Sequence, residues 1–126
     1  MWKHLMLVAT LLLGVLAAPS AAKAQAGFVV IVNDGNAAHT LRREDASRIF
    51  LKQRTDFPSG LAAVPVDQAE SSPVRAAFSE AVLGRSTASV EAFWQREIFS
   101  GRGVPPLEKM SDEEVLAFVR SSINAV

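Results

Sequence analysis

The chain has 126 residues, with thirteen basic and thirteen acidic side chains, two histidines and no cysteine. That length holds one domain, and balanced charge with few aromatic residues excludes the basic, aromatic-rich face of a nucleic-acid binder. Without cysteine there are no disulfides and no thiolate metal sites, and a lipidated N-terminus, which needs a cysteine at its cleavage point, is excluded too.

Residues 1–26 read as a cleavable leader. Lys3 and His4 supply the polar start, an apolar run follows from Leu5 to Leu16, and Pro19 and Ser20 break it. The small-x-small patterns at Ala22, Lys23, Ala24 and at Ala24, Gln25, Ala26 place cleavage after Ala26. The apolar run is short of the ~20 residues that span a bilayer. The expected address is therefore the periplasm, with residues 27–126 as a single domain. Removing Lys3 and Lys23 leaves eleven basic residues against thirteen acidic, a slightly acidic mature chain.

The mature part opens with Phe28, Val29, Val30, Ile31 and Val32, a continuous β-branched run. Continuous apolarity predicts a strand covered on both faces. Asn33, Asp34, Gly35 and Asn36 carry turn chemistry. His39 falls in the loop beyond; with no other histidine or cysteine in the mature part, it is expected in solvent and not at a metal or catalytic centre.

Residues 41–51 form the first predicted helix. Glu44 and Asp45 suit its early turns, where the helix dipole favours acids. Ala46, Ile49 and Phe50 make its apolar stripe, and Arg42, Arg43 and Arg48 its wet face. Phe57, Pro58, Ser59 and Gly60 read as a turn with one aromatic folded onto the core. The second strand is expected within residues 61–66, with Pro65 marking a strand end or an edge.

The most informative junction spans residues 64–78, where this strand meets a helix. Ser72 is a good N-cap and Pro73 suits the first helical position. Val74, Ala77, Phe78, Ala81 and Val82 recur on one face. The helix is expected to run to about Leu83, with Gly84 as its stop. A capped helix N-terminus after a strand can bind an anion through its free N–H groups and its dipole. Arg75, in the first turn where the dipole disfavours a cation, fits a nearby anion, a salt bridge to Glu70 or plain exposure.

Ser86 or Thr87 caps the next helix, which carries Val90, Phe93, Trp94 and Ile98; both aromatics are expected in the core. Residues 99–106 are a loop rich in glycine and proline. Ser111 and Glu114 form a capping box for a last helix whose apolar face is Val115, Leu116, Phe118 and Val119. Ile123, Ala125 and Val126 could begin a strand. The order predicts an α/β fold, a small sheet flanked by about four helices, in need of a third strand from the C-terminus or another chain.

The run Leu-Arg-Arg-Glu-Asp-Ala-Ser-Arg-Ile-Phe-Leu at 41–51, the turn at Phe57–Gly60, and Val64, Pro65, Val66, Asp67 resemble the phosphate ABC transporter substrate-binding protein family. So do Ser72, Pro73, Val74, Arg75 leading to Phe78, then Phe93-Trp94 and the loop from Ile98 to Gly103. The likeness is to its small, exported, single-lobe PBP-like branch and covers nearly all of the mature chain. It implies one lobe of a type 2 periplasmic binding protein with a small mixed sheet, phosphate or a similar oxyanion as ligand, and an ABC permease as one partner.

In that family a Ser-Gly-Thr turn holds the phosphate, with an arginine four residues before the serine. Matching places the serine at Ser72, with Pro73, Val74 and Gln68 at the glycine, threonine and arginine positions. Pro73 removes a backbone donor, Val74 a hydroxyl and Gln68 a charge. The expected anion-binding groups are thus Ser71, Ser72, the Val74 N–H and Arg75. The competing expectation is a periplasmic accessory module that has lost its ligand and uses its open face for a partner or for self-association. Neither reading needs a cofactor or metal, and an enzyme is not expected, because Ser72 has no sequence-local base to activate it.

Overall fold

The computed structural model describes residues 27–126, so the leader expected at residues 1–26 lies outside the described residues. Among the described residues there are four α-helices and a small two-stranded parallel sheet. In chain order they are α1 (Arg43–Phe50), β1 (Val66–Gln68), α2 (Pro73–Phe78), α3 (Thr87–Phe99), β2 (Leu107–Lys109) and α4 (Asp112–Ser121). The fold is mixed α/β, as the sequence pattern predicts.

β1 pairs in parallel with β2, Val66 opposite Leu107 and Gln68 opposite Lys109. On its other edge the chain around β1 bonds to the C-terminal residues. Val64 N–H donates to Asn124 O at 2.8 Å, Val126 N–H to Val64 O at 3.1 Å, and Val66 N–H to Val126 O at 2.8 Å. Residues 64–68 are therefore the middle of the sheet, and the C-terminus supplies the third strand-like partner. The strand expected within residues 61–66 lies later, at Val66–Gln68, and of the two readings of Pro65, a strand end or an edge, it is the strand end that holds: Pro65 immediately precedes β1. The N–H groups of Val64 and Val66 face the C-terminal residues, so the missing donor of Pro65 falls on the opposite side. β2 begins to pair there only one residue later, so no ladder bond is lost.

Residues 28–32 also depart from expectation. They carry strand composition but are not a strand, and no backbone bond to them exists among the described residues. Their side chains hold them instead. Phe28 and Val32 pack on the cluster of Ile49, Phe50, Phe57, Phe78 and Val126, while Ile31 packs on Val66, Val119 and Ala125. Phe28 meets Phe78 edge-on at 5.6 Å. Val29 is 82% exposed, so this run is covered on one side only. In the sheet, β2 takes one edge of residues 66–68, and the C-terminal residues take the other edge at Val64 and Val66.

The turn of residues 33–36 docks on the end of α4. Asn33 Nδ2 donates to the carbonyls of Val119 and Arg120, and Asn36 Nδ2 to that of Ile123. These carbonyls lie at or just beyond a helix C-terminus, where intrahelical donors run out. Phe57 is fully buried and closes a small hairpin through Phe57 N–H to Leu61 O at 2.7 Å. α1 is amphipathic as predicted, and its buried Asp45 pairs with Arg42 and Arg54.

The helix starting at Pro73 is not α-helical to Leu83. After Phe78 it widens into a π-helical turn, Ser79–Leu83, and Gly84 ends it in the left-handed region at φ 66°. Gly84 thus acts as the predicted stop, because only glycine adopts that conformation without strain. Ser86 caps α3 and Ser111 caps α4, each hydroxyl accepting the expected backbone N–H. Glu114 reaches back to the N–H of Met110, one residue beyond the usual capping-box partner. In α3, Trp94 and Val90 are buried and Phe93 stacks edge-on against Trp94 at 4.9 Å.

Candidate functional site

The strand-to-helix junction is built tightly. β1 hands over to a turn closed by Ala69 N–H to Lys109 O at 3.0 Å and Ser72 N–H to Ala69 O at 2.9 Å. Ser72 then has extended backbone and caps α2, its Oγ accepting from Arg75 N–H at 3.3 Å. The same hydroxyl donates to Gln68 Oε1 at 2.7 Å. Gln68 in turn donates through Nε2 to the Asp112 carboxylate at the start of α4. Ser72 and Gln68 are thus bonded to each other and to the neighbouring helix.

Arg75 points away from the helix N-terminus. It is only 5% exposed, and its guanidinium is shared among four partners. Nη2 meets Glu91 Oε1 of α3 at 2.6 Å, and Nη1 donates to the Gln68 carbonyl at 3.2 Å. Nη1 also lies 3.6 Å from Glu108 Oε1 of β2, and Nε 4.0 Å from Asp67 Oδ2 of β1. The partner weighed from sequence, Glu70, is exposed and takes no part. One cation therefore ties β1, α2, α3 and β2 together, and three carboxylates surround it.

The electrostatics follow from burial. Asp67 is raised to about 6, first because burial penalises its charged form. Arg75 pulls it back down, and Glu108 and Glu91 push it up. At 4.0 Å the Arg75 contact is too long to offset the lost hydration, since a close, hydrogen-bonded partner is needed for that.

Outside α2's first turn lies an open depression of about 450 Å³. Ser71, Ser72 and Val74 form one wall; Asp112 and Glu113, from the first turn of α4, form the other. Among the described residues no lysine or arginine lines it. Of the four expected anion-binding residues, Ser71, Ser72 and Val74 share this depression, and Arg75 does not reach it. A smaller apolar cleft of about 70 Å³ lies beneath residues 28–31, where Asp67, Gln68 and Arg75 are the polar groups. Among the described residues no cluster of histidine, aspartate or glutamate is arranged to hold a metal ion.

Sequence reasoning missed Asp67, Glu91 and Glu108 as a set. The local signal was the aspartate ending an apolar strand, a place where a carboxylate is buried only for a reason. No family model, curated protein or solved structure matches the chain.

Proposed function

We propose that this chain is an exported, non-catalytic accessory module, a single lobe related to the phosphate-binding family it resembles, whose ligand junction has become structural. The observation that carries the reading is the enclosure of Arg75 by Asp67, Glu91 and Glu108. An oxyanion binds where donors and positive charge are free. Here the only guanidinium at the junction is consumed inside the protein, and the depression over the helix start meets Asp112 and Glu113 instead. A phosphate placed there gains the Val74 N–H and two serine hydroxyls, one of them already engaged, and is repelled by two carboxylates. Ser72 is equally unsuited to nucleophilic chemistry, because its hydroxyl donates to an amide oxygen and not to a base.

Val29, Val104, Met110 and Phe99 are large apolar side chains left in solvent, Phe99 98% exposed at the end of α3. Exposed apolar groups of this size mark contact surfaces when they gather. The periplasmic address rests on the leader pattern of residues 1–26, and an ABC permease is one class of partner that the family likeness suggests.

Titration calorimetry with inorganic phosphate at millimolar concentration tests the reading. No saturable heat is expected. Saturable heat that disappears in Ser71→Ala or Ser72→Ala would restore the solute-binding alternative, in which the depression beside α2 holds an oxyanion.

A further inference from the structure

We propose that the cleft beneath residues 28–31 binds a small primary ammonium ion, with the Asp67 carboxylate as its anchor and the surrounding phenylalanine rings as its wall. The site is separate from the depression beside α2, so the inference goes beyond the accessory-module reading and stands on different residues.

The inference starts from Asp67. It is only 8% exposed, and a carboxylate buried to that degree normally meets donors that replace its lost hydration. This one does not. Among the described residues no N–H or O–H donates to its carboxylate, and its cationic neighbour, Arg75 Nε, lies at 4.0 Å, beyond hydrogen-bonding range. Nor are its oxygens sealed in: among the described residues, the enclosed side-chain oxygens without a partner are those of Ser79 and Thr87. Asp67 borders the cleft of about 70 Å³. A buried acceptor that lacks a donor and borders an open cleft is where a ligand's N–H group gains most.

The charge of the ligand follows from the surroundings. Asp67, Glu91 and Glu108 share one guanidinium, and Arg75 gives its close contacts to Glu91 and the Gln68 carbonyl. Negative charge is in excess, and Asp67 is the carboxylate left with the longest contact. Burial, with Glu108 and Glu91, pushes Asp67 up to about 6 against the pull of Arg75, which still leaves it ionised at pH 7.5. A ligand carboxylate or phosphate would meet repulsion here; a cation does not. The walls set the rest of the ligand. Phe28, Phe50 and Phe78 line the cleft, and aromatic faces attract a cation as well as cover an alkyl chain. Its volume, about 70 Å³, is less than half of the ~150 Å³ of a cavity that holds benzene, so it takes about three or four non-hydrogen atoms. An adjoining hollow of about 230 Å³ shares Phe28, Val74 and Val115 with the cleft and gives the ligand its way in.

The probe is n-propylammonium. The chain is expressed from its full sequence, purified, and its N-terminus read by mass spectrometry. Its amide resonances are followed by NMR at pH 7.5 while n-propylammonium chloride replaces sodium chloride at constant ionic strength. Saturable shifts are expected at residues 28–31 and 66–68, half-complete at about 1 mM, within what so small a ligand reaches. 1-Propanol, of the same size without the charge, should bind at least about ten times more weakly, as should n-propylammonium to Asp67→Asn, which keeps the shape and removes the charge. Glu44→Gln, which removes an exposed carboxylate on α1, should leave the affinity unchanged. Shifts that do not saturate overturn the proposal. So does equal affinity for 1-propanol, which would make the cleft merely apolar, or binding indifferent to Asp67→Asn. An equal loss in Glu44→Gln and Asp67→Asn also overturns it, because the cation then answers to the overall charge of the protein. None of these outcomes alters the phosphate titration, so the two readings fail separately.

Discussion

Replacing Asp67 by asparagine should make the protein more stable at neutral pH and leave it little changed in acid. Asp67 is buried on β1, and its proton affinity in the folded chain is raised from 3.8 to about 6. Each tenfold change in proton affinity is worth about 1.4 kcal/mol, so ionising this group in the folded chain costs about 3 kcal/mol more than in the unfolded one. Between pH 3.8 and about 6 the folded state holds more protons than the unfolded state, and stability falls as pH rises through that window. The contribution of Asp67 is thus fully present below its ordinary value and lost above about pH 6. Asparagine keeps the shape and removes the ionisation. It also leaves Arg75 with Glu91 at 2.6 Å and Glu108 at 3.6 Å, so the guanidinium remains paired. Urea unfolding of both proteins from pH 4 to 7.5 measures the effect. The stability difference, variant minus wild type, should climb by about 2.4 kcal/mol across the series and level off near neutrality. A flat difference would show that burial does not raise Asp67. A difference that falls with pH would show the opposite sign, a carboxylate held ionised by Arg75, and would refute the account of the cluster.

Two further perturbations probe how the parts are held. Arg75→Leu leaves three carboxylates around an apolar side chain and should cost about 3–5 kcal/mol near pH 7, read by urea unfolding; the loss should shrink in acid as Asp67 protonates. Asn36→Ala removes a buried donor to the Ile123 carbonyl and the acceptor for Ala38 N–H, both near 3 Å. It should cost about 1–3 kcal/mol, seen as a lower thermal midpoint, and Asn36→Asp, which keeps only the acceptor, should not rescue it.

The features that the sequence determined by itself are those written within one turn of chain. Ser72, Ser86 and Ser111 cap their helices because each needs only the backbone N–H three residues ahead. Gly84 stops its helix because the left-handed conformation is a property of one residue. The stripe of Ala46, Ile49 and Phe50, the inward fold of Phe57 and the α/β class follow from spacing, since apolar side chains must find one face. The resemblance to phosphate-binding lobes and the leader expected at residues 1–26 are readings of the sequence that the described residues do not test.

What only the tertiary structure decided is which groups meet. Residues 28–32 have strand propensity, but propensity measures how side chains fit a sheet, and a strand needs a free edge as well. The C-terminal residues bond Val64 and Val66 on one edge and β2 takes residues 66–68 on the other, while residues 28–32 make no backbone bond among the described residues. Arg75 reads in sequence as a cation at a helix start that an anion could satisfy. In the fold its side chain turns inward to Asp67, Glu91 and Glu108, which come from three other elements. A charge taken out of water must be met by opposite charge nearby. Sequence can place that requirement on Arg75, but only the packing of α3 and β2 against α2 meets it with carboxylates of the protein itself.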